Sequence, residues 1–410
     1  MLSAGVLSVG VLSVGVLSQI ASPFVGGDRS RTHRGRSRGD RPHRPAVPGW
    51  RRNDSVVLGA GVLTTLAAVT SRAVGVGPVT GFVVQAVALA CLAALVSRTV
   101  EELGWHWSPA ATGIVQATVG NLPELLFGVF ALRAGLTGVV QAALVGSVLA
   151  NVLLVLGFAF VLGGLRHGPQ HFSAADARAN VVLLLVAAAV VAVPSVAALA
   201  HTPAARHERV LSDVASVVLL AAYAAALWTS LRAGAVTGGR RARGELAPQA
   251  GPPVPREVWP VPLALGMLLG AAGVAALVSE WLVAELRPAL AVLGMSQTFA
   301  GVVVVAIAGN AVEHVGGVAL AARDRSDHAL AVILQSPIQV LLGVFPLLVL
   351  LSPVVGGALT LAVPTLLLLG LGLGAVVTVA VVVDGESTWL EGICLMGLYA
   401  VLAAAAWWSA

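Results

Sequence analysis

The sequence predicts an all-α polytopic membrane protein of about 11 transmembrane helices: one extra helix, then two inverted five-helix repeats. Three observations carry this. The chain is 58% hydrophobic and 10% charged, with a mean hydropathy of +0.92, far from the balance of soluble domains. Apolar runs near the roughly 20 residues that cross a bilayer recur between short polar breaks. A Gly-Asn-x-x-Glu segment occurs twice, once in each part of the chain.

Residues 1–54 open with a Val-Leu-Ser-Val-Gly repeat and continue into an Arg/Pro/Gly/Ser stretch unable to bury a core, so a disordered tail is expected. Its Arg cluster follows the apolar run instead of preceding it, which argues against a cleaved secretory signal. Nine Arg against Asp28, Asp40 and Asp54 give this tail +6, so the formal +5 of the chain belongs to it and the remainder carries −1. Such a tail attracts anionic lipid, and nucleic-acid binding is not expected.

Spans are expected near 55–71, 80–98, 110–132, 138–164, 180–200, 210–231, 260–284, 297–322, 328–352, 359–383 and 388–408. With the N-terminus inside, the inward segments hold 19 Arg and the outward segments 5, the asymmetry of a cytoplasmic N-terminus and an outer C-terminus. The organisation that follows is an extra first helix in 55–79, a first repeat in 80–231, a cytoplasmic linker in 232–258 and a second repeat in 259–410. An odd number of spans per repeat turns the second upside-down relative to the first.

Gly120-Asn121-Leu122-Pro123-Glu124 aligns with Gly309-Asn310-Ala311-Val312-Glu313 at an offset of 189, which also takes Gly128 to Gly317 and Ser147 to Ser336. Inverted repeats of this kind build secondary transporters, whose ions bind near mid-membrane between the halves. An acid in the middle of a span is costly and marks function by default. Asn and Glu three apart share a helix face. Glu124, Glu313, Asn121, Asn310, Ser147, Ser336 and Gln339 therefore form the candidate cation- and proton-binding set, an all-oxygen donor array that suits Ca²⁺. Cys91 and Cys394 lie in other apolar runs, so neither a soft-metal site nor a disulfide is expected. Two carboxylates are neutralised by one divalent cation or by two protons, and exchange of one for the other follows. His314 and Glu280 are candidates for proton relay or gating.

These residues resemble a known family. Thr112 to Glu124 and Gly146 to Gly157 look like the first signature of cation/proton exchangers in the calcium:cation antiporter superfamily. Val278-Ser279-Glu280, Ala308 to His314 and Gln335-Ser336-Pro337-Ile338-Gln339 are similar to the second, and Asp384 to Gly392 to the ending of its calcium/proton branch. The resemblance implies a sodium/calcium exchanger-like fold and Ca²⁺ export driven by inward proton flow, with Glu124 and Glu313 as carriers in a bacterial inner membrane. Na⁺(K⁺)/H⁺ or Na⁺/Ca²⁺ exchange on the same scaffold is the alternative. Leu122-Pro123 stands where the family has small or hydroxyl residues, and Gln335 where it has Gly.

No cofactor is expected beyond the transported calcium and protons. An intramembrane metal hydrolase would need a pattern such as His-Glu-x-x-His, which does not occur, so enzyme chemistry is not expected. Trp105, Trp107, Trp259, Trp407 and Trp408 near span ends read as interfacial anchors, Glu101 and Glu102 as a solvated face, and Asp384, Glu386 and Glu391 as caps.

Overall fold

A computed structural model describes residues 51–106, 119–242 and 258–409. Most of the expected tail (1–50), the middle of the linker (243–257) and the first part of the third span (107–118) lie outside the described residues. The helices are α1 (Arg52–Val74), α2 (Pro78–Gly104), α3 (Leu122–Arg133), α4 (Thr137–His167), α5 (Ala174–Leu199) and α6 (Glu208–Ala242). They continue as α7 (Val261–Leu293), α8 (Gln297–Gly309), α9 (Ala311–Ala321), α10 (Ser326–Val355), α11 (Thr365–Val382) and α12 (Trp389–Trp407). Among the described residues nine helices are long and apolar enough to cross a membrane, and α8 with α9 forms a tenth span folded by 69°. α3, 12 residues long, is the described part of the expected span 110–132, whose residues 110–118 lie outside the described residues.

The duplication is visible in the element bounds. α3 and α9 start 189 residues apart, as do α4 and α10. α4 and α10 each widen into a π-helical turn at matching places, Ala150–Val155 and Val340–Val344, and α8 has another at Ala300–Val305. Such turns shift the hydrogen-bond register and re-aim the side chains that follow, often at functional sites.

Contacts between loops sort the helix ends into two groups. At one end, Gln170–His171 pairs antiparallel with Glu386–Ser387, Arg166 and His167 reach the carbonyl of Ala322, and Asp327 accepts the N–H of Ser173. These loops follow the fourth, eighth and tenth spans. At the other end, Arg209 holds Ser352 and the carbonyls of Val349 and Leu359, Arg287 holds the carbonyl of Ala134, and Ser296 donates to the carbonyl of Ala406. Those segments follow odd-numbered spans. An eleven-span chain with alternating direction gives this parity and a missed span would break it.

Three expectations about polar residues are corrected here. Asp54, counted with the tail, is buried in the first turn of α1 and accepts the N–H of Arg51 at 2.7 Å. Its partner is Arg98 of α2, at 2.7 Å, which also pairs with Glu101 and Glu102. Glu102 was expected in a solvated face but is 1% exposed, while Glu101 stays half in solvent. Trp259, expected as an interfacial anchor, is fully buried: its ring lies under Arg98 at 5.8 Å and its indole N–H points to Asp54 at 3.3 Å. A charge-assisted knot near the ends of α1, α2 and α7 draws all of these inward. Glu391 is a cap as expected, exchanging hydrogen bonds with Thr388 at the start of α12. α6 runs on to Ala242, into the stretch read as linker.

The two halves interlock through glycine. A Cβ at Gly146 of α4 would strike the backbone of Val302 in α8, and one at Gly301 would strike Ala142. Small residues let membrane helices approach to backbone distance. Gly146→Val is expected to lower stability by about 1–3 kcal/mol through overpacking, read as a lower midpoint in a thermal melt of the detergent-solubilised protein. An unchanged midpoint would show that the helices separate freely at this crossing.

Candidate functional site

Both Gly-Asn segments interrupt their spans, and this places the acids. Asn121 (φ −94°, ψ 14°) and Asn310 (φ −106°, ψ 13°) leave helical geometry in the same way just before α3 and α9 begin. Glu124 and Glu313 thereby fall in the first turns of those short helices, where unpaired N–H groups favour negative charge. Pro123 sits in the first turn of α3, a position where a missing N–H costs nothing, so the Leu-Pro departure is accommodated by the helix start.

Hydrogen bonds run across the two repeats as well as within each. Asn121 Nδ2 donates to Gln339 Oε1 at 2.7 Å, and Asn310 Nδ2 donates to Ser147 Oγ at 2.9 Å. Ser336 Oγ lies 3.5 Å from Asn310 Oδ1 and also within reach of the Glu313 carboxylate. Asn151, on the π-helical turn of α4, donates to the Ser147 carbonyl at 3.0 Å and to Ser336 Oγ at 3.4 Å. Asn121, Asn310, Ser147, Ser336, Gln339 and Asn151 are all buried.

The carboxylate of Glu124 lies against Gly309, in the break of the opposite repeat: a Cβ there would sit 3.6 Å from Oε1. It borders a cavity of about 30 Å³, room for one or two water-sized guests, shared with Asn310, Ser147, Phe82, Leu89 and Leu282. Glu124 and Glu313 are each half-buried, yet each has one carboxylate oxygen sealed away without a hydrogen-bond partner among the described residues. Neither takes part in any of the ion pairs found there.

The seven expected binding residues thus gather around the two breaks, with Glu124 at the cavity and Glu313 joined to it through Ser336 and Asn310. His314 is buried beside Glu313 with its Nε2 unpartnered among the described residues. Glu280 is on an exposed face of α7 rather than deep in the bundle; at about 100° per residue its neighbour Ser279 takes the buried face instead. Gln85, a fully buried amide in α2, was overlooked. Its signal was present, since it is the single amide in the apolar run from Phe82 to Val96.

Mirrored helix breaks, each followed by an acid and bonded across the halves, make this an arrangement with close relatives. Residues 77–232 and 263–408 match the sodium/calcium exchanger protein family, covering both repeats and leaving out α1. The chain belongs to that family. It is a family of transporters. Among exchangers of this kind, a Ca(2+)/H(+) antiporter of Synechocystis sp. is 34% identical over 342 residues, 81% of this chain and 91% of the relative. The Ca(2+)/H(+) antiporter ChaA of Bacillus subtilis is 34% identical over 326 residues, 78% and 90% of the two chains. The structure of native YfkE superposes with a TM-score of 0.71 at 30% identity, covering 86% of this chain and 99% of that one. The H+/Ca2+ exchanger CAX, at 15% identity and a TM-score of 0.64, shares the exchanger fold.

Proposed function

We propose that this exchanger carries Ca²⁺ against protons across the membrane, with Glu124 and Glu313 binding one or the other in turn. The observation that carries the reading is the mirrored pair of carboxylates, each with a buried oxygen lacking a hydrogen-bond partner and neither with a basic partner among the described residues. Two such charges held in a poorly polarisable interior require compensation. One calcium ion supplies it, and so do two protons; an empty doubly charged site does not cross readily. Obligatory exchange is the consequence, and the Ca(2+)/H(+) antiporters named above support the choice of ions.

In this reading Ser147, Ser336, Gln339 and the two Asn side chains complete an oxygen shell around the carboxylates, as a hard cation prefers. The cross-repeat hydrogen bonds hold these donors when the cation is absent. His314 is the candidate to pass the Glu313 proton, since its Nε2, unpartnered among the described residues, belongs to the nearest titratable neighbour in sequence. Access alternates as one set of helices rocks against the other. We place the protein in a bacterial inner membrane, with its N-terminus in the cytoplasm on the strength of the Arg asymmetry. Calcium leaves as protons enter.

The test uses purified protein in sealed proteoliposomes with calcium and pH reporters. An imposed pH gradient is expected to drive calcium uptake with proton countermovement, while a sodium or potassium gradient alone drives none. Uptake driven by sodium without pH change would replace this reading by sodium-for-calcium exchange. Calcium flux that ignores every countergradient would make the protein a channel.

A further inference from the structure

α2 and α7 carry two buried polar groups that the binding site does not use. Gln85 is wholly buried, and neither its Oε1 nor its Nε2 has a hydrogen-bond partner among the described residues. Ser279 of α7 is likewise wholly buried with its hydroxyl unpartnered there. Buried amides almost always find partners, so one left with none calls for a reason.

Their placement supplies it. The two helices pack antiparallel: Gly81 lies against Glu285, and the other end of α2, from Ala94 to Leu103, clusters with Trp259, Ala264 and Leu268. In that register Gln85 and Ser279 stand at about the same level. Around α2, at about 100° per residue, Gln85 falls midway between Leu89, on the cavity wall, and Gly81, on the α7 seam. On α7, Ser279 is one turn before Leu282, which lines the same cavity. By this register Gln85 and Ser279 both fall on or next to the seam between α2 and α7, near the level of the Glu124 cavity, and both are buried in this conformation.

We propose that Gln85, with Ser279 opposite, is a second polar station on the ion path, where a partly hydrated divalent cation rests between Glu124 and the membrane surface when the seam opens. Nonhelical or polar groups at membrane depth are tolerated where they line a watered cavity, and an amide oxygen is a ligand that calcium accepts. In the closed state the amide gains nothing. In the open state it replaces water on the cation and shortens the apolar stretch that the ion must pass.

This rests on the cation/proton reading above, and two measurements separate the two. In proteoliposomes, Gln85→Leu is expected to lower the maximal calcium transport rate by about tenfold or more at little change in KM, with a melting temperature equal to or above that of wild type. A residue needed only for packing would move the rate and the melt down together. In the second, Gln85→Cys in a Cys91→Ala/Cys394→Ala background is treated from one side with a small charged thiol reagent. Labelling is expected under one direction of the pH gradient and to be slowed by calcium. Labelling reports water access whichever ion is carried, so it stands even if the transported cation proves to be sodium. Either a Gln85→Leu rate within about twofold of wild type, or no labelling under any gradient, overturns the proposal.

Discussion

Glu124→Gln and Glu313→Gln are each expected to reduce calcium/proton exchange by about 100-fold or more, equivalent to roughly 2.7 kcal/mol of lost driving or binding energy. The physical reason is charge. With one carboxylate replaced by an amide, a bound calcium leaves a net positive site, and a single proton suffices to neutralise the empty one; the stoichiometric swap no longer balances. Folding should survive, because Gln keeps the shape, can still bond a neighbour such as Ser336 and carries no uncompensated charge. Calcium uptake and internal pH read together in proteoliposomes check this, alongside a thermal melt. Wild-type exchange in either variant would remove the mirrored acids from the mechanism. The same balance has a sign in pH: protons compete with calcium for the carboxylates, so acidifying the loading side raises the half-saturating calcium concentration, by up to about tenfold per pH unit for each proton displaced.

Arg98→Leu is expected to destabilise the protein by about 3–5 kcal/mol, the cost of leaving buried carboxylates without their cation. Arg98 is 8% exposed, Asp54 0% and Glu102 1%, so water cannot take over from the guanidinium. The loss should appear as early release of α1 from α2, because Asp54 ties the start of α1 to Arg98 of α2. Replacing Asp54 and Glu102 by Leu in the same variant should recover most of the loss, since no buried charge then remains unpaired. Thermal melts of the three proteins decide it. If Arg98→Leu alone melts like wild type, the knot is ornamental and α1 is held by its apolar face.

The spans, the inverted repeat and the acid pair were legible because polar residues are rare and expensive within a bilayer. When Asn121, Glu124, Asn310 and Glu313 recur at one spacing in apolar surroundings, composition cannot account for them. The odd number of spans per repeat then forces their faces together, and the loop contacts at both ends agree with that parity. Glu391 could be read as a cap because capping is local, within four residues of Thr388.

What could not be read depended on which way a helix turns and on partners far along the chain. In α7, Ser279 and Glu280 are neighbours roughly 100° apart, and in a helix apolar on every side no periodicity says which of them points inward. Asp54 looked like part of a charged tail because its partners, Arg98 and Trp259, are 44 and 205 residues away. Whether Gln85 has a partner is likewise a property of the packed seam. The chain's chemistry along its length was set by the cost of polarity in lipid, which acts on each residue separately. Helix rotation and cross-repeat hydrogen bonds emerge from packing many apolar surfaces at once, so they become known when the helices are assembled.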